Sequence, residues 1–142
     1  MPASHPDPAP SATILVVDDD PQLRALLQEV LEMSGYGVLT AEHGGEGWRL
    51  LDIHRPHLVI TDIVMPDHEG IEFISLMRQV TPRPKVIAIS GGFSRSSTYL
   101  EMARYSGADS TLSKPFLPSV LLQEVGRLLA GDSNESPLTA HA

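Results

Sequence analysis

Strand-like and helix-like patterns alternate five times along the middle of the chain, and this alternation restricts the fold more than any other feature. Short apolar runs typical of buried strands lie at residues 14–17, 58–61 and 86–89, and more polar strand-like runs lie at 36–41 and 109–113. After each run, apolar residues recur at the three- and four-residue spacing of a helix face. Strands that alternate with helices form a parallel sheet covered on both faces. The sequence therefore predicts an α/β fold.

The first helix has the clearest boundary signals. Asp20 can cap its N-terminus, Pro21 suits the first helical position, and Gly35 is placed to end it. Four further helices are expected over about 44–53, 71–80, 97–105 and 118–130. The helix residues expected to face the core are Leu23, Leu26, Leu27, Val30, Leu31, Trp48, Leu51, Ile71, Ile74, Met77 or Leu76, Leu121, Leu122, Val125, and Leu128 or Leu129.

The polarity of the strands predicts their order in the sheet. The first, third and fourth strands are continuously apolar, as central strands of a parallel sheet must be. The second and fifth contain Thr, Ser, Asp or Gly, which edge strands tolerate. This predicts a flavodoxin-like, doubly wound, five-stranded parallel sheet of order 2-1-3-4-5 with five helices. In that order the ligand crevice opens beyond the carboxyl ends of the first and third strands.

Length and composition predict one domain with modest tails. We expect a disordered tail at 1–11, a domain at 12–130 and a flexible tail at 131–142 of the 142 residues. The net charge of −8 argues against a nucleic-acid footprint. No apolar run approaches the ~20 residues of a membrane span, and the first ten residues lack the pattern of a secretory signal. A cytoplasmic protein is the expectation.

Polar side chains directly follow four of the five strands. Asp18 and Asp19 follow the first strand, Asp62 the third, Ser90 the fourth and Lys114 the fifth. These side chains should converge, because the carboxyl ends of parallel strands share one edge of the sheet.

Three carboxylates at one place would repel one another and raise their own pKa values unless a cation offsets the charge. Oxygen ligands with sites left for water suit Mg²⁺, with Mn²⁺ as a possible substitute. Asp62 could then act as a nucleophile and form an aspartyl-phosphate. Lys114 and Ser90 would contact phosphoryl oxygens, and Gly91 would leave room for backbone N–H groups.

These motifs resemble the response-regulator receiver domain of two-component signalling. The resemblance spans about Thr13 to Ala130. It rests on the segments at 15–19 (LVVDD), 61–66 (TDIVMP), 90–91 (SG) and 114–116 (KPF).

The resemblance implies that Asp62 is the phosphoacceptor. It further implies that Asp19, Asp62 and the Val64 carbonyl bind Mg²⁺ directly, that Asp18 acts through water, and that Ser90 and Lys114 sense the phosphate. The Lys114–Pro115 peptide bond is expected to be cis.

The resemblance also implies the partners. A histidine kinase or phosphotransfer protein would donate the phosphoryl group, and a downstream protein would bind the fourth helix, fifth strand and fifth helix of a monomer or weak homodimer. Thr111 departs from the family pattern, since that position is often aromatic and couples to the hydroxyl of Ser90. Any switch must then use movement of the loop and the fourth helix.

Two other functions are compatible with parts of the pattern. A haloacid-dehalogenase-like phosphohydrolase also uses a strand-end Asp, a hydroxyl, a Lys and Mg²⁺, but it carries a second Asp where this chain has Val64. An adaptor that binds partners without phosphorylation is the other alternative; the complete acidic site argues against it, although Thr111 leaves it open.

Overall fold

The computed structural model describes residues 12–63, 69–91, 101–104 and 106–131. They form one parallel sheet with helices on both faces. The strands are β1 (Thr13–Val17), β2 (Gly37–Ala41), β3 (Leu58–Asp62), β4 (Lys85–Ser90) and β5 (Ser110–Ser113). The helices are α1 (Pro21–Met33), α2 (Gly44–His54), α3 (Glu69–Met77), α4, whose described residues are 101–104 and 106, and α5 (Pro118–Leu129). The sheet order is β2-β1-β3-β4-β5, which confirms the predicted 2-1-3-4-5 order.

The strand register brings the polar strand ends to one edge. Val17 lies opposite Thr61 in the neighbouring strand, and Ser90 lies opposite Ser113. Pairing continues past the strands, since the Asp18 amide donates to the Ala41 carbonyl at 3.1 Å and the Lys114 amide donates to the Ser90 carbonyl at 2.7 Å. The sheet thus fixes the main chain beside each polar side chain.

The core consists of two apolar layers, one on each face of the sheet. Side chains that alternate along each strand enter opposite layers, which explains why the three central strands are apolar at almost every position. One layer packs against α2, α3 and α4, and the other packs against α1 and α5. Each fully buried Leu or Ile contributes about 1.5–3 kcal/mol, so these layers hold the strand ends in place.

Helix α1 begins and ends as the sequence predicts. The Asp20 carboxylate accepts hydrogen bonds from the backbone amides of Gln22 at 2.9 Å and Leu23 at 3.4 Å. Ser34 closes the other end, and Gly35 follows with φ of +97°, a left-handed conformation that glycine adopts without a steric penalty. The start of α1 at Pro21 is therefore fixed three residues after Asp18.

Leu26, a predicted core position, is 47% exposed, and Trp48 is 39% exposed. Of the alternatives Met77 and Leu76, Met77 is the buried residue, and Phe73 is buried as well. The helical spacing identifies the apolar face of each helix correctly. How much of that face the sheet covers depends on the position and rotation of the helix on the sheet. The predicted tails, except for Gly131, and the first part of the predicted fourth helix lie outside the described residues.

Both ends of the described chain lie at the amino ends of the strands. The Thr13 amide donates to His57 Nδ1 at 3.0 Å, and the His57 amide donates to the Thr13 carbonyl at 2.9 Å. Gly131, beyond α5, lines a groove of about 310 Å³ together with His57 and Lys85. This edge is opposite the one that carries the acidic residues. Among the described helices, none has the length and apolarity that a bilayer crossing requires.

Candidate functional site

Three carboxylates meet at the carboxyl edge of the sheet. Oxygen atoms of Asp18, Asp19 and Asp62 all lie within 4.8 Å of one another. Asp18 and Asp62 are 1% and 4% exposed, whereas Asp19 is open to solvent. Two buried carboxylates therefore form the floor of the site, and the third lies at its mouth.

Lys114 joins the two buried carboxylates. Its Nζ donates to Asp62 Oδ2 at 2.9 Å and to Asp18 Oδ2 at 3.3 Å. The backbone bond from Lys114 to Ser90 holds this residue directly beyond β5. One ammonium group thus faces two carboxylates, and the local charge stays negative.

Burial is the main influence on the pKa of Asp18 and raises it. The backbone amide of Asp20 opposes this by donating to Asp18 Oδ1 at 2.8 Å, the negative charge of Asp62 raises the pKa further, and Lys114 lowers it. The pKa of Lys114 is also raised: burial alone would lower it, but the hydrogen bonds and charges of Asp62 and Asp18 outweigh that effect. These surroundings therefore disfavour the ionised form of Asp18 and favour the charged form of Lys114.

The donor set fits a hard divalent cation. Every candidate ligand in the acidic group is a carboxylate oxygen, and Asp19 leaves one side open to water. Mg²⁺ is typically held by one or two carboxylates and several waters. Val64, whose carbonyl is a predicted ligand, lies outside the described residues.

Ser90 lies at the same edge and is fully buried. Its hydroxyl donates to the Gly91 carbonyl at 3.4 Å, a long and weak bond. Thr111 is half-buried in β5 opposite Ala88. The Lys114–Pro115 bond is cis, as predicted.

Arg24 also contacts the site, and sequence reasoning missed it. Its Nη1 donates to the main-chain carbonyl of Asp18 at 2.7 Å, and its Nη2 lies 3.6 Å from Glu42 Oε1. The available signal was a cation one helical turn after the Asp20 cap, within reach of the acidic doublet.

Residues 14–126 match the family model described as the response regulator receiver domain. The chain belongs to this family. Its acidic group and Lys114 are consistent with a phosphoacceptor switch in two-component signalling rather than with a conventional enzyme, which argues against the phosphohydrolase alternative.

Relatives of this receiver domain include larger regulators. It is 35% identical over 123 residues to the DNA-binding transcriptional regulator NtrC of Bradyrhizobium sp. (strain RP501 Parasponia), covering 85% of this chain and 25% of that protein. It is also 35% identical over 116 residues to the transcriptional regulatory protein CpxR of Escherichia coli K12, covering 82% of this chain and 48% of that protein. The chain thus spans a quarter to a half of these two relatives' lengths.

A solved structure of similar size confirms the fold. The signal receiver domain of a response regulator from Bermanella marisrubri is 33% identical, with a TM-score of 0.76. The match covers 82% of this chain and 97% of that one.

Proposed function

We propose that this receiver domain accepts a phosphoryl group on Asp62 from a histidine kinase or a phosphotransfer protein. The observation that carries the proposal is the contact between Lys114 Nζ and Asp62 Oδ2 at 2.9 Å within a group of three carboxylates. A bond forms between an Asp62 oxygen and phosphorus while the bond between phosphorus and the donor's histidine nitrogen breaks, and the imidazole leaves.

The residues around Asp62 have separate roles in this proposal. Asp18, Asp19, Asp62 and the Val64 carbonyl would hold Mg²⁺, with Asp18 acting through water. The ion, when bound, supplies positive charge that offsets the carboxylates and the phosphoryl oxygens. Lys114 binds one phosphoryl oxygen, and Ser90 and Gly91 donate from the adjacent strand end. Positioning and charge neutralisation are most of what phosphoryl transfer requires of a protein.

The donor protein must dock beside Asp62, and an apolar groove reaches that place. A groove of about 280 Å³ runs between α1 and the start of α5 and ends at Lys114. Its lining is Asp20, Leu23, Leu26, Leu27, Val30, Lys114, Pro115, Phe116 and Pro118. We propose that the donor covers this groove, because Leu26 on its wall is 47% exposed.

The downstream target would bind another surface, formed by α4, β5 and α5. Met102 on α4 is 40% exposed, and Leu117 and Val120 at the start of α5 are 67% and 37% exposed. These apolar side chains are available to a partner protein. The added charge at Asp62 would bias a two-state rearrangement that this surface displays.

Phosphate-affinity gel mobility tests the proposal. The protein is incubated with acetyl phosphate and Mg²⁺, and wild type is compared with Asp62→Ala and with Asp52→Asn, a change at an exposed carboxylate on α2. We expect retarded bands for wild type and Asp52→Asn and none for Asp62→Ala. Equal mobility of wild type and Asp62→Ala would rule the proposal out and favour the phosphorylation-independent adaptor.

A further inference from the structure

We propose that Arg24 is a positioning residue for the cation site: its guanidinium holds the Asp18–Asp19 peptide in the orientation that keeps the Asp19 carboxylate beside Asp62. The inference rests on the proposed function, because it concerns the Mg²⁺ site of that switch. Arg24 donates to the Asp18 carbonyl at 2.7 Å, and its side chain is only 17% exposed. This bond is therefore well shielded from competing water.

All four hydrogen-bonding groups of Asp18 have partners on different segments. Its amide donates to Ala41, its Oδ1 accepts from the Asp20 amide, and its Oδ2 accepts from Lys114. Its carbonyl accepts from Arg24. Arg24 thus holds the carbonyl side of Asp18, and that carbonyl belongs to the peptide leading into Asp19.

Peptide planarity transmits this constraint to Asp19. The Asp18 carbonyl and the Asp19 amide belong to one rigid unit, so fixing the carbonyl fixes the direction in which the chain enters Asp19. Asp19 is exposed, so surrounding side chains pack against it little. The orientation of the peptide is then a main determinant of whether its carboxylate stays within 4.8 Å of the other two.

A second contact, made by Arg24 Nη2, helps to orient the guanidinium group. Arg24 Nη2 lies 3.6 Å from Glu42, and the Glu42 amide donates to Glu46 Oε1 at 3.1 Å. The Glu42 side chain is 69% exposed, so its ion pair with Arg24 contributes little by itself. Glu42→Gln weakens this pair and leaves the bond between Arg24 and Asp18 in place, which makes it the matched control.

Positioning and simple charge predict opposite effects of removing Arg24. A guanidinium near a cation site repels the cation, so loss of its charge alone would tighten Mg²⁺ binding. Loss of a partner that orients a ligand weakens metal binding, typically by at least about tenfold. The direction of the change in Kd therefore distinguishes the two.

Calorimetric titration of the full chain with MgCl₂ tests the inference. We expect the Kd for Mg²⁺ to rise about tenfold in Arg24→Ala, to rise less in Arg24→Lys, which keeps one donor, and to stay within about twofold of wild type in Glu42→Gln. Thermal unfolding shows that each variant is folded. In the metal-free protein, the ¹⁵N–¹H resonance of Asp19 should shift in Arg24→Ala and stay near its wild-type position in Glu42→Gln.

The measured Kd values either support or overturn the role of Arg24. An unchanged or tighter Kd in folded Arg24→Ala would overturn the role of Arg24 while leaving the proposed function intact, since wild type still binds Mg²⁺. If Arg24→Ala does not fold, Arg24→Lys decides on the same criterion. If the wild-type protein binds no Mg²⁺, both the proposed cation site and the role of Arg24 are overturned.

Discussion

Single residues in the acidic group lie where charge is costly, because two of the three carboxyl groups are buried. Asp18 is buried beside Asp62, and burial together with that neighbouring charge raises its pKa despite the Asp20 amide and Lys114. A carboxyl group whose pKa is raised by folding favours the folded state while it is protonated. Its contribution to the free energy of unfolding is lost as pH rises from the ordinary aspartate pKa of 3.8 through the higher pKa of the folded state.

We predict that Asp18→Asn stabilises the metal-free protein at neutral pH. The amide removes a buried charge, so we expect the free energy of unfolding to rise by about 1 kcal/mol and Tm by about 3–5 °C. Thermal unfolding in EDTA measures this, with the exposed Asp52→Asn as control. A Tm at or below that of wild type would contradict the prediction.

The increase in the free energy of unfolding caused by Asp18→Asn depends on pH in a defined direction. The advantage of Asp18→Asn over wild type should grow as pH rises above 3.8 and should vanish in stronger acid. Glu124 acts in the opposite direction: its hydrogen bond with Arg127 lowers its pKa, so its stabilisation is lost as pH falls. Because Glu124 is common to both proteins, the difference between wild type and variant isolates Asp18.

At the scale of elements, the close approach of α2 to the sheet depends on Gly47. A Cβ built there would lie 3.0 Å from Val17 Cγ2 and 3.2 Å from Phe73 Cζ. Since Val17 directly precedes Asp18, this contact lies next to the acidic edge of the sheet. An added Cβ would therefore require the Val17 or Phe73 side chain, or the helix itself, to shift by a few tenths of an ångström.

We predict opposite effects for two Gly→Ala changes within helices. Gly47→Ala should destabilise by about 1–3 kcal/mol because it overpacks the contact between α2 and β1. Gly126→Ala in α5, where a Cβ meets no atom within 4 Å, should stabilise by about 0.5–1 kcal/mol through helix propensity. Urea unfolding of both variants checks this, and a Gly47→Ala protein as stable as wild type would refute the packing argument.

At the scale of the whole molecule, cation binding should couple to folding. The acidic group unites residues from two strands that are distant in sequence, so the unfolded chain cannot present it. We predict that Mg²⁺ raises the stability of wild type by about 2.7 kcal/mol at a hundred times its Kd. Asp19→Asn should show a much smaller gain in Tm over the same titration, and equal gains would contradict the assignment of Asp19 as a ligand.

Much of this molecule follows from its sequence, for identifiable reasons. Strand polarity predicted the order of the sheet, and the rule that ligands bind at carboxyl strand ends placed Asp62 beside Asp18 and Lys114. Arg24 was missed because its position one helical turn after Asp20 does not by itself show which group the guanidinium contacts, and here it contacts a main-chain carbonyl. The exposure of Leu26 was missed because periodicity gives the direction of a helix face but not how much of that face the sheet covers. The roles of the site residues stay predictions.

The two ends of the described chain, near Thr13 and Gly131, lie at the amino ends of the strands, at the opposite edge of the sheet from Asp62. A fluorescent protein or affinity tag joined directly at residue 12 or residue 131 would therefore begin at the edge of the sheet opposite Asp62. Such fusions should leave the approach to Asp62 unobstructed, which makes either position suitable for immobilising this domain on a sensor surface.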